Sequence, residues 1–78
     1  MTIKSHQRIL MTGAAGNLGK QLRDPLKSNC DVLRLSDRAA FGDARVGEEV
    51  MLADLADAQA VSALVQRVDA IVHLGGVA

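Results

Sequence analysis

Three glycines fall within seven residues, directly after an apolar run and directly before a segment with leucines at every fourth position. They are Gly13, Gly16 and Gly19 in the sequence TGAAGNLG. A glycine turn that opens a helix presents unpaired backbone N–H groups and a partial positive charge, which attract a pyrophosphate. We expect the first glycine to permit the tight turn, the second to let phosphates approach, and the third to let the helix pack close to the strand. The free amides of Asn17 and Leu18 are the predicted phosphate contacts.

An acidic residue follows at the end of the next apolar segment. Asp37 lies eighteen residues after Gly19, at the predicted tip of the second strand, where a carboxylate can accept hydrogen bonds from both ribose hydroxyls. Its charge would repel an additional 2′-phosphate, which favours NAD over NADP. Arg38 leaves NADP open, because a guanidinium beside Asp37 could receive that phosphate. A turn at the strand end is the purely structural alternative for Asp37.

Other ligand chemistries fit the sequence poorly. The phosphate loop G-x-x-x-x-G-K-[ST] would need a glycine at Ala14 and a hydroxyl residue at Gln21. A single cysteine excludes an internal disulfide, and the two histidines are too far apart for a zinc site, so no metal is predicted. We interpret Cys30 as a small apolar filler at a helix end and His73 as a packed histidine within a strand.

The elements that must position these residues follow from hydrophobic patterning. Apolar strands are predicted at residues 9–11, 31–37, 49–54 and 70–76. A helix begins at Gly16, and its Pro25 predicts a kink or an early end. The apolar stripes of the two helices comprise Leu18, Leu22, Leu26 and Cys30 in the first, and Val61, Leu64, Val65 and Val68 in the second, which Asp57 caps. The short segment between the second and third strands predicts an irregular connection, and the charges around residues 45–49 predict a solvated rim.

Strands that alternate with helices predict an α/β fold. The expected architecture is the amino-terminal half of a Rossmann-type doubly wound parallel sheet, with four strands in the order 3-2-1-4 and helices on both faces. Ligands bind such sheets where the winding direction reverses, between the first and fourth strands, and the glycine turn faces that gap. We expect residues 1–78 to be a partial NAD-binding domain that is truncated after the fourth strand.

Composition excludes several classes of partner. The 78 residues carry nine basic and nine acidic side chains without a basic stripe, which argues against nucleic acid. The polar first residues do not resemble a signal peptide, and no apolar run is long enough to span a membrane. We therefore expect a cytoplasmic protein with no membrane partner.

The T-G-x-x-G-x-x-G pattern at residues 12–19 resembles that of the extended short-chain dehydrogenase/reductase family, also described as the NAD-dependent epimerase/dehydratase family. The flanking segments CDVLRLSDRA, GEEVMLADLADAQAV and VDAIVHLGGV resemble the amino-terminal portion of uronate dehydrogenases, which are NAD-dependent members of that family. The resemblance covers residues 9–77 and only the front of such an enzyme. The glycine pattern is specific to the superfamily, whereas the flanking segments are less diagnostic.

This resemblance implies further site residues and a reaction. Asp54 and Leu55 would lie beside the adenine, and Leu74, Gly75 and Gly76 would line the cofactor along the fourth strand. Asp54 could instead cap a turn, and the paired glycines could simply end a strand. The resembled enzymes transfer a hydride from C1 of a hexuronic acid to NAD, giving an aldarolactone, and they use a tyrosine base assisted by lysine and serine. The chain contains no tyrosine, so no catalytic residue and no dehydrogenase activity are predicted for these residues alone.

Three alternatives stay open at this point. The chain could be the cofactor half of another extended-family enzyme, such as a sugar-nucleotide epimerase or dehydratase, or a non-catalytic module that senses NAD. It could also be a marginally stable fragment without function, because a sheet that ends at the fourth strand exposes an apolar edge. The full-length enzyme would act on a small-molecule uronic acid, and the resemblance leaves a homo-oligomer open.

Overall fold

The computed structural model describes residues 6–74 of the chain. Strands and helices alternate along most of it. The elements are β1 (His6–Thr12), α1 (Asn17–Lys27), β2 (Cys30–Ser36), β3 (Glu48–Val50), α2 (Ala58–Leu64) and β4 (Ala70–His73). Within these described residues, neither helix has the length and apolar character needed to cross a membrane.

The four strands form one parallel sheet in the order β3-β2-β1-β4. This confirms the predicted α/β architecture and strand order. The register sets Thr12 of β1 level with Ser36 of β2 and with His73 of β4. The carboxyl ends of β2, β1 and β4 therefore meet at one edge of the sheet, which is where ligands bind in open α/β folds.

One face of the sheet carries the apolar core. Alternate residues of β1 and β2 are buried there, and Leu22 and Leu26 of α1 pack against them. The fully or nearly fully buried side chains of this face are Ile9, Met11, Leu33 and Leu35. The sequence predicts Leu18 as part of this core, but the prediction is wrong because Leu18 is 53% exposed. Gly19 is the buried residue of α1 instead, since the first turn of the helix approaches the backbone of Ala14.

The opposite face is built around a buried arginine. Arg34 is only 7% exposed, and its guanidinium Nη1 donates to the carbonyl oxygens of Leu64 at 2.6 Å and Gln66 at 2.9 Å. Its Nε donates to Glu49 at 3.1 Å. These bonds satisfy carbonyls at the end of α2 that have no partner within the helix. Arg34 thus fixes α2 against the face of the sheet opposite α1.

Several predicted boundaries shift in the structure. Strand β3 is shorter than predicted, although its ladder is extended by backbone bonds from Met51 to Leu35 and from Ala53 to Asp37. Helix α1 ends at Lys27, one turn before the predicted stripe ends, as expected after a proline. Cys30 is therefore not at a helix end; it is the buried first residue of β2.

The predictions for the loops and for α2 have mixed outcomes. The connection at residues 37–47 has no helix or strand, which confirms an irregular crossover. Asp57 caps α2 by accepting from the amides of Gln59 and Ala60, again as predicted. The helix stops at Leu64, however, so Val68 lies outside it, and Val65 is 39% exposed. The helix thus ends earlier than its apolar spacing indicates, at the carbonyl of Leu64 that accepts from Arg34.

The charged segment at residues 45–49, which includes the start of β3, is not simply the solvated rim that the sequence predicts. The Glu48 side chain has no exposed surface, and its carboxylate accepts bonds from Arg23 at 2.6 and 2.8 Å. It also accepts from the Arg45 amide at 2.8 Å and pairs with Lys27 at 3.1 Å. The carboxylate therefore joins α1 to the edge strand β3.

These contacts change the protonation of Glu48. The hydrogen bonds from Arg23 lower the pKa of the Glu48 carboxyl from 4.5 to about 2, against the opposing effect of burial. Because the folded pKa lies below the unfolded one, the ionised carboxylate stabilises the fold above pH 4.5. This contribution is lost as the pH falls from 4.5 towards 2.

We predict that Glu48→Gln destabilises the protein and flattens its response to acid. The substitution leaves two cations against a neutral amide, which should lower the free energy of unfolding by about 2 to 4 kcal/mol. Thermal unfolding between pH 2 and pH 7 should show a smaller loss of stability below pH 4.5 in the variant than in the wild type. Asp43→Asn, at an exposed position of the same connection, is the matched control. Identical acid profiles for Glu48→Gln and the wild type would contradict the assignment.

Candidate functional site

A cavity of about 430 Å³ opens at the carboxyl edge of the sheet. Its lining comes from the ends of β1 and β2, from the bend between β1 and α1, from the segments that follow β2 and β3, and from the residue after β4. The lining residues are Thr12, Gly13, Gly16, Ser36, Asp37, Arg38, Ala53, Asp54, Leu55 and Leu74. Seven of these are site residues predicted from the sequence, so the fold brings most of the predicted site to one place.

The bend between β1 and α1 is held by its own backbone. Gly13 adopts a φ of +73°, a left-handed conformation that glycine tolerates without steric cost. The Ala14 amide donates to the carbonyl oxygen of Ser36 at 3.0 Å, and the Gly16 amide donates to that of Gly13 at 3.2 Å. The Ala15 amide donates to the carboxylate of Asp37 at 3.0 Å. All three amides of residues 14–16 are therefore used within the fold.

The amides that follow the bend lack such partners. The Lys20 amide is the first in α1 to bond back one turn, to the carbonyl oxygen of Gly16, so the amides of residues 17–19 have no acceptor within the helix. Gly16 is the N-cap and supplies no side-chain bond, and the first turn contains no acidic residue. Asn17 and Leu18 are exposed, although their side chains do not line the cavity. This helix end is free to receive an anion at its backbone N–H groups.

The three glycines of the motif meet three different requirements. A Cβ on Gly19 would lie 2.7 to 2.9 Å from backbone atoms of Ala14, so the close packing at this glycine is against the bend after β1 rather than against the strand. Gly13 is required by its positive φ. Gly16 has an extended backbone, and its Cβ would meet only the Gly13 carbonyl oxygen, at an ordinary 3.5 Å. The fold alone therefore does not require glycine at position 16, where the residue faces the cavity.

Asp37 lines the cavity directly after the end of β2. One carboxylate oxygen, Oδ2, accepts from Ala15, and the other, Oδ1, accepts from the amides of Arg38 at 2.7 Å and Ala39 at 3.3 Å. The residue is half-buried, and Arg38 beside it is exposed. The carboxylate thus has a fixed orientation at the end of β2, and the adjacent guanidinium belongs to the same lining.

The residues implied only by the family resemblance have more varied surroundings. Asp54 lines the cavity, but its carboxylate also accepts from the amide of Ala56 at 2.9 Å, so the turn-capping alternative is correct for its contacts. Leu55 is 42% exposed and Leu74 is half-buried; both line the cavity. Gly75 and Gly76 lie outside the described residues.

Three lining residues were missed by sequence reasoning. Thr12, Ser36 and Ala53 each directly precede a predicted site residue, and the shared edge of parallel strands is the signal that could have identified them. The Ser36 hydroxyl is buried without a hydrogen-bond partner among the described residues. Thr12 shares a hydrogen bond with the ring Nδ1 of His73. That histidine is exposed rather than packed as predicted, and it lies on the edge strand β4, where Ile71 on the same face is also exposed.

Comparison with known proteins gives a consistent result. Residues 9–78 match the model of the NAD dependent epimerase/dehydratase family. Over 78 residues the chain is 54% identical to a uronate dehydrogenase of Pseudomonas putida; the alignment covers 99% of this chain and 29% of that protein.

Solved structures show the same likeness. A crystal structure of uronate dehydrogenase from Agrobacterium tumefaciens superposes with a TM-score of 0.91 at 46% identity, over 95% of this chain and 28% of that one. A mutant of the A. tumefaciens enzyme in complex with NAD gives a TM-score of 0.90 at 46% identity, over 94% and 28% of the two chains. The chain thus spans less than a third of the length of these relatives.

We predict that Gly19→Ala destabilises the protein, whereas Gly16→Ser does not. The new methyl at position 19 would overlap the backbone of Ala14, at a cost of about 1 to 3 kcal/mol that exceeds the gain in helix propensity. Serine at the extended N-cap position can instead cap α1. Melting temperatures measured by circular dichroism should fall for the first variant and stay level or rise for the second. An unchanged melting temperature for Gly19→Ala would refute the packing argument.

Proposed function

The chain belongs to the NAD dependent epimerase/dehydratase family, and from this premise we propose that it is the NAD-binding part of a uronate dehydrogenase-like oxidoreductase. In this proposal residues 1–78 form part of a dinucleotide-binding domain. The enzyme oxidises a hexuronic acid at C1 to an aldarolactone. The observation that carries the proposal is the open end of α1, whose amides at residues 17 and 18 follow a glycine bend at the edge of the cavity.

The residues present fit a dinucleotide. The pyrophosphate needs backbone donors without obstructing side chains, and Gly16 supplies bare backbone beside the free amides of Asn17 and Leu18. Asp37 supplies a carboxylate for ribose at the end of the neighbouring strand. Asp54 and Leu55 are placed beside the adenine in this proposal, and Leu74, with Gly75 and Gly76, along the rest of the cofactor.

The charges at the ribose end favour NAD over NADP. Asp37 is fixed by backbone amides, so it cannot turn away from a 2′-phosphate without breaking those bonds. A second negative charge at that point would be repelled. Arg38 is exposed, and its weaker, solvent-screened attraction does not outweigh the fixed carboxylate.

The support for a hexuronic acid as the substrate comes from the similar curated proteins, which are uronate dehydrogenases. In the proposed reaction the C1–H bond of the cyclic hexuronic acid breaks, and its hydride reduces NAD to NADH. The C1 hydroxyl loses its proton to a base, and the C1–O bond becomes the lactone carbonyl. The chain has no tyrosine, so the tyrosine base of the resembled enzymes is not among residues 1–78. These residues bind and orient the oxidant.

We predict that Gly16→Ser weakens NAD binding without weakening the fold. Its Cβ occupies the approach to the phosphates, and its hydroxyl competes for an amide at the start of α1. Isothermal titration calorimetry, on protein expressed from the complete reading frame, should show at least about a tenfold loss of NAD affinity, or about 1.4 kcal/mol.

Gln21→Ser is the matched control, because this exposed position lies on the same helix away from the cavity. Its NAD affinity should equal that of the wild type. If Gly16→Ser also bound NAD like the wild type, the phosphate role of the bend would be refuted.

We also predict that the same full-length protein reduces NAD when galacturonate or glucuronate is added. NADH absorbance should rise with one lactone formed per NADH, and NAD should be used in preference to NADP. NAD binding without oxidation of either uronate would retain the cofactor assignment and refute the proposed substrate, in favour of another reaction of the family.

A further inference from the structure

We propose that Asp37 is a positioning residue for the phosphate-binding bend, in addition to its role towards ribose. In this inference its carboxylate holds residues 13–16 in the shape that presents the amides of α1. The inference rests on the proposed NAD binding and adds a specific consequence for how affinity and cofactor selectivity are linked.

The contacts that carry the inference come from two separate segments. Asp37 Oδ2 accepts from the amide of Ala15 in the bend at 3.0 Å. Asp37 Oδ1 accepts from the amides of Arg38 at 2.7 Å and Ala39 at 3.3 Å, directly after β2. A single carboxylate therefore ties the bend after β1 to the connection after β2.

The bond to Ala15 differs from the other bonds of the bend. Ala14 and Gly16 donate to backbone carbonyl oxygens, which no substitution removes. The amide of Ala15 depends on a side chain, and the acceptor is charged, which makes the bond stronger than one between neutral groups. Without it, the bend keeps only the backbone bond from Ala14 to Ser36 at the end of β2, and binding must then supply part of the ordering that the unliganded fold provides now.

The carboxylate has little acceptor capacity to spare. An ionised carboxylate offers about four lone-pair sites, and three backbone amides already use it. Ribose thus meets a group whose position is set by the bend. Replacing Asp37 should consequently weaken NAD binding through both lost roles, and for NADP the loss of the anchored bend should offset part of the gain from the removed repulsion.

If Asp37 acted on the phosphates through its charge alone, its replacement would have the opposite effect on their affinity. Removing a negative charge beside a pyrophosphate should raise its affinity, whereas removing the anchor of the bend should lower it. A ligand with a pyrophosphate but without ribose hydroxyls separates these effects from ribose recognition. 2′,3′-Dideoxy-ADP is such a ligand, and ADP, which keeps both ribose hydroxyls, is the probe to compare with it.

The test is a cycle of two proteins and two ligands. Wild type and Asp37→Ala, both expressed from the complete reading frame, are titrated with ADP and with 2′,3′-dideoxy-ADP by calorimetry. We expect the variant to bind dideoxy-ADP roughly tenfold more weakly than the wild type does, since a bond to a charged group is lost. The loss for ADP should be larger still. Asp43→Ala, an exposed residue outside the cavity lining, controls for the removed charge and should lose no affinity.

Each other outcome is decisive. Equal or tighter binding of dideoxy-ADP by Asp37→Ala would overturn the positioning role and leave ribose recognition intact. Failure of the wild type to bind either probe, or NAD, would overturn the proposed function and this inference with it. Asp37→Asn serves if the alanine variant does not fold; it keeps one acceptor oxygen for three donors, and we expect an intermediate loss, with no loss again overturning the role.

Hydrogen exchange gives a readout that does not depend on any ligand. In the unliganded wild type the Ala15 amide should exchange slowly, and in Asp37→Ala it should exchange at least about tenfold faster, while the Ala14 amide changes little because its acceptor is a backbone carbonyl. Rapid exchange of Ala15 in the wild type would overturn the inference.

Discussion

Unpaired N–H groups at the start of α1 are the physical constraint on which the rest of the site depends. Every helix begins with amides that have no partner within it, and a side chain at the N-cap is a common partner for one of them. Here the N-cap is Gly16, which supplies no such bond, and the preceding amides at residues 14–16 are consumed by the bend and by β2. Only the helix amides remain for an anion. The amides of residues 14–16 are thus hydrogen-bonded within the fold, and the first amides of α1 remain as donors for a ligand.

The sheet determines what stands opposite those donors. Parallel pairing in register aligns Thr12, Ser36 and His73, so the residues that follow them share one edge. Strand β3 lies at the outer side of that sheet, and the buried carboxylate of Glu48 holds it to α1. Arg34 of β2 likewise holds α2 to the sheet through its hydrogen bonds to the carbonyl oxygens of Leu64 and Gln66. Charged groups, rather than apolar contacts alone, therefore hold β3 and α2 to the rest of the fold.

Sequence reasoning succeeded where local chemistry decides the structure. The conformation of Gly13, the close packing at Gly19 and the cap at Asp57 each depend on residue type over one turn of chain. Strand order followed from the handedness of crossovers, which is a general constraint. The position of Asp37 at the cavity could be predicted in the same way, because Asp37 follows the end of a strand and the strands of a parallel sheet end at one edge.

The failures share a different cause. Glu48 was expected in a solvated rim, and its burial depends on Arg23 and Lys27, more than twenty residues earlier. The exposure of Leu18 depends on how closely α1 approaches Ala14. Hydrophobic spacing carries no information about such partners, because it treats every charge as solvated and every leucine as core. The bond from the Ala15 amide to Asp37 was not predicted for the same reason.

The central claim is that the backbone amides of Asn17 and Leu18 receive the diphosphate of NAD. A crystal structure of the full-length protein with NAD tests this most directly. The account predicts pyrophosphate oxygens about 2.7 to 3.2 Å from those two amide nitrogens, with the adenosine ribose at Asp37. A diphosphate bound elsewhere, or side chains filling the space above Gly16, would contradict it.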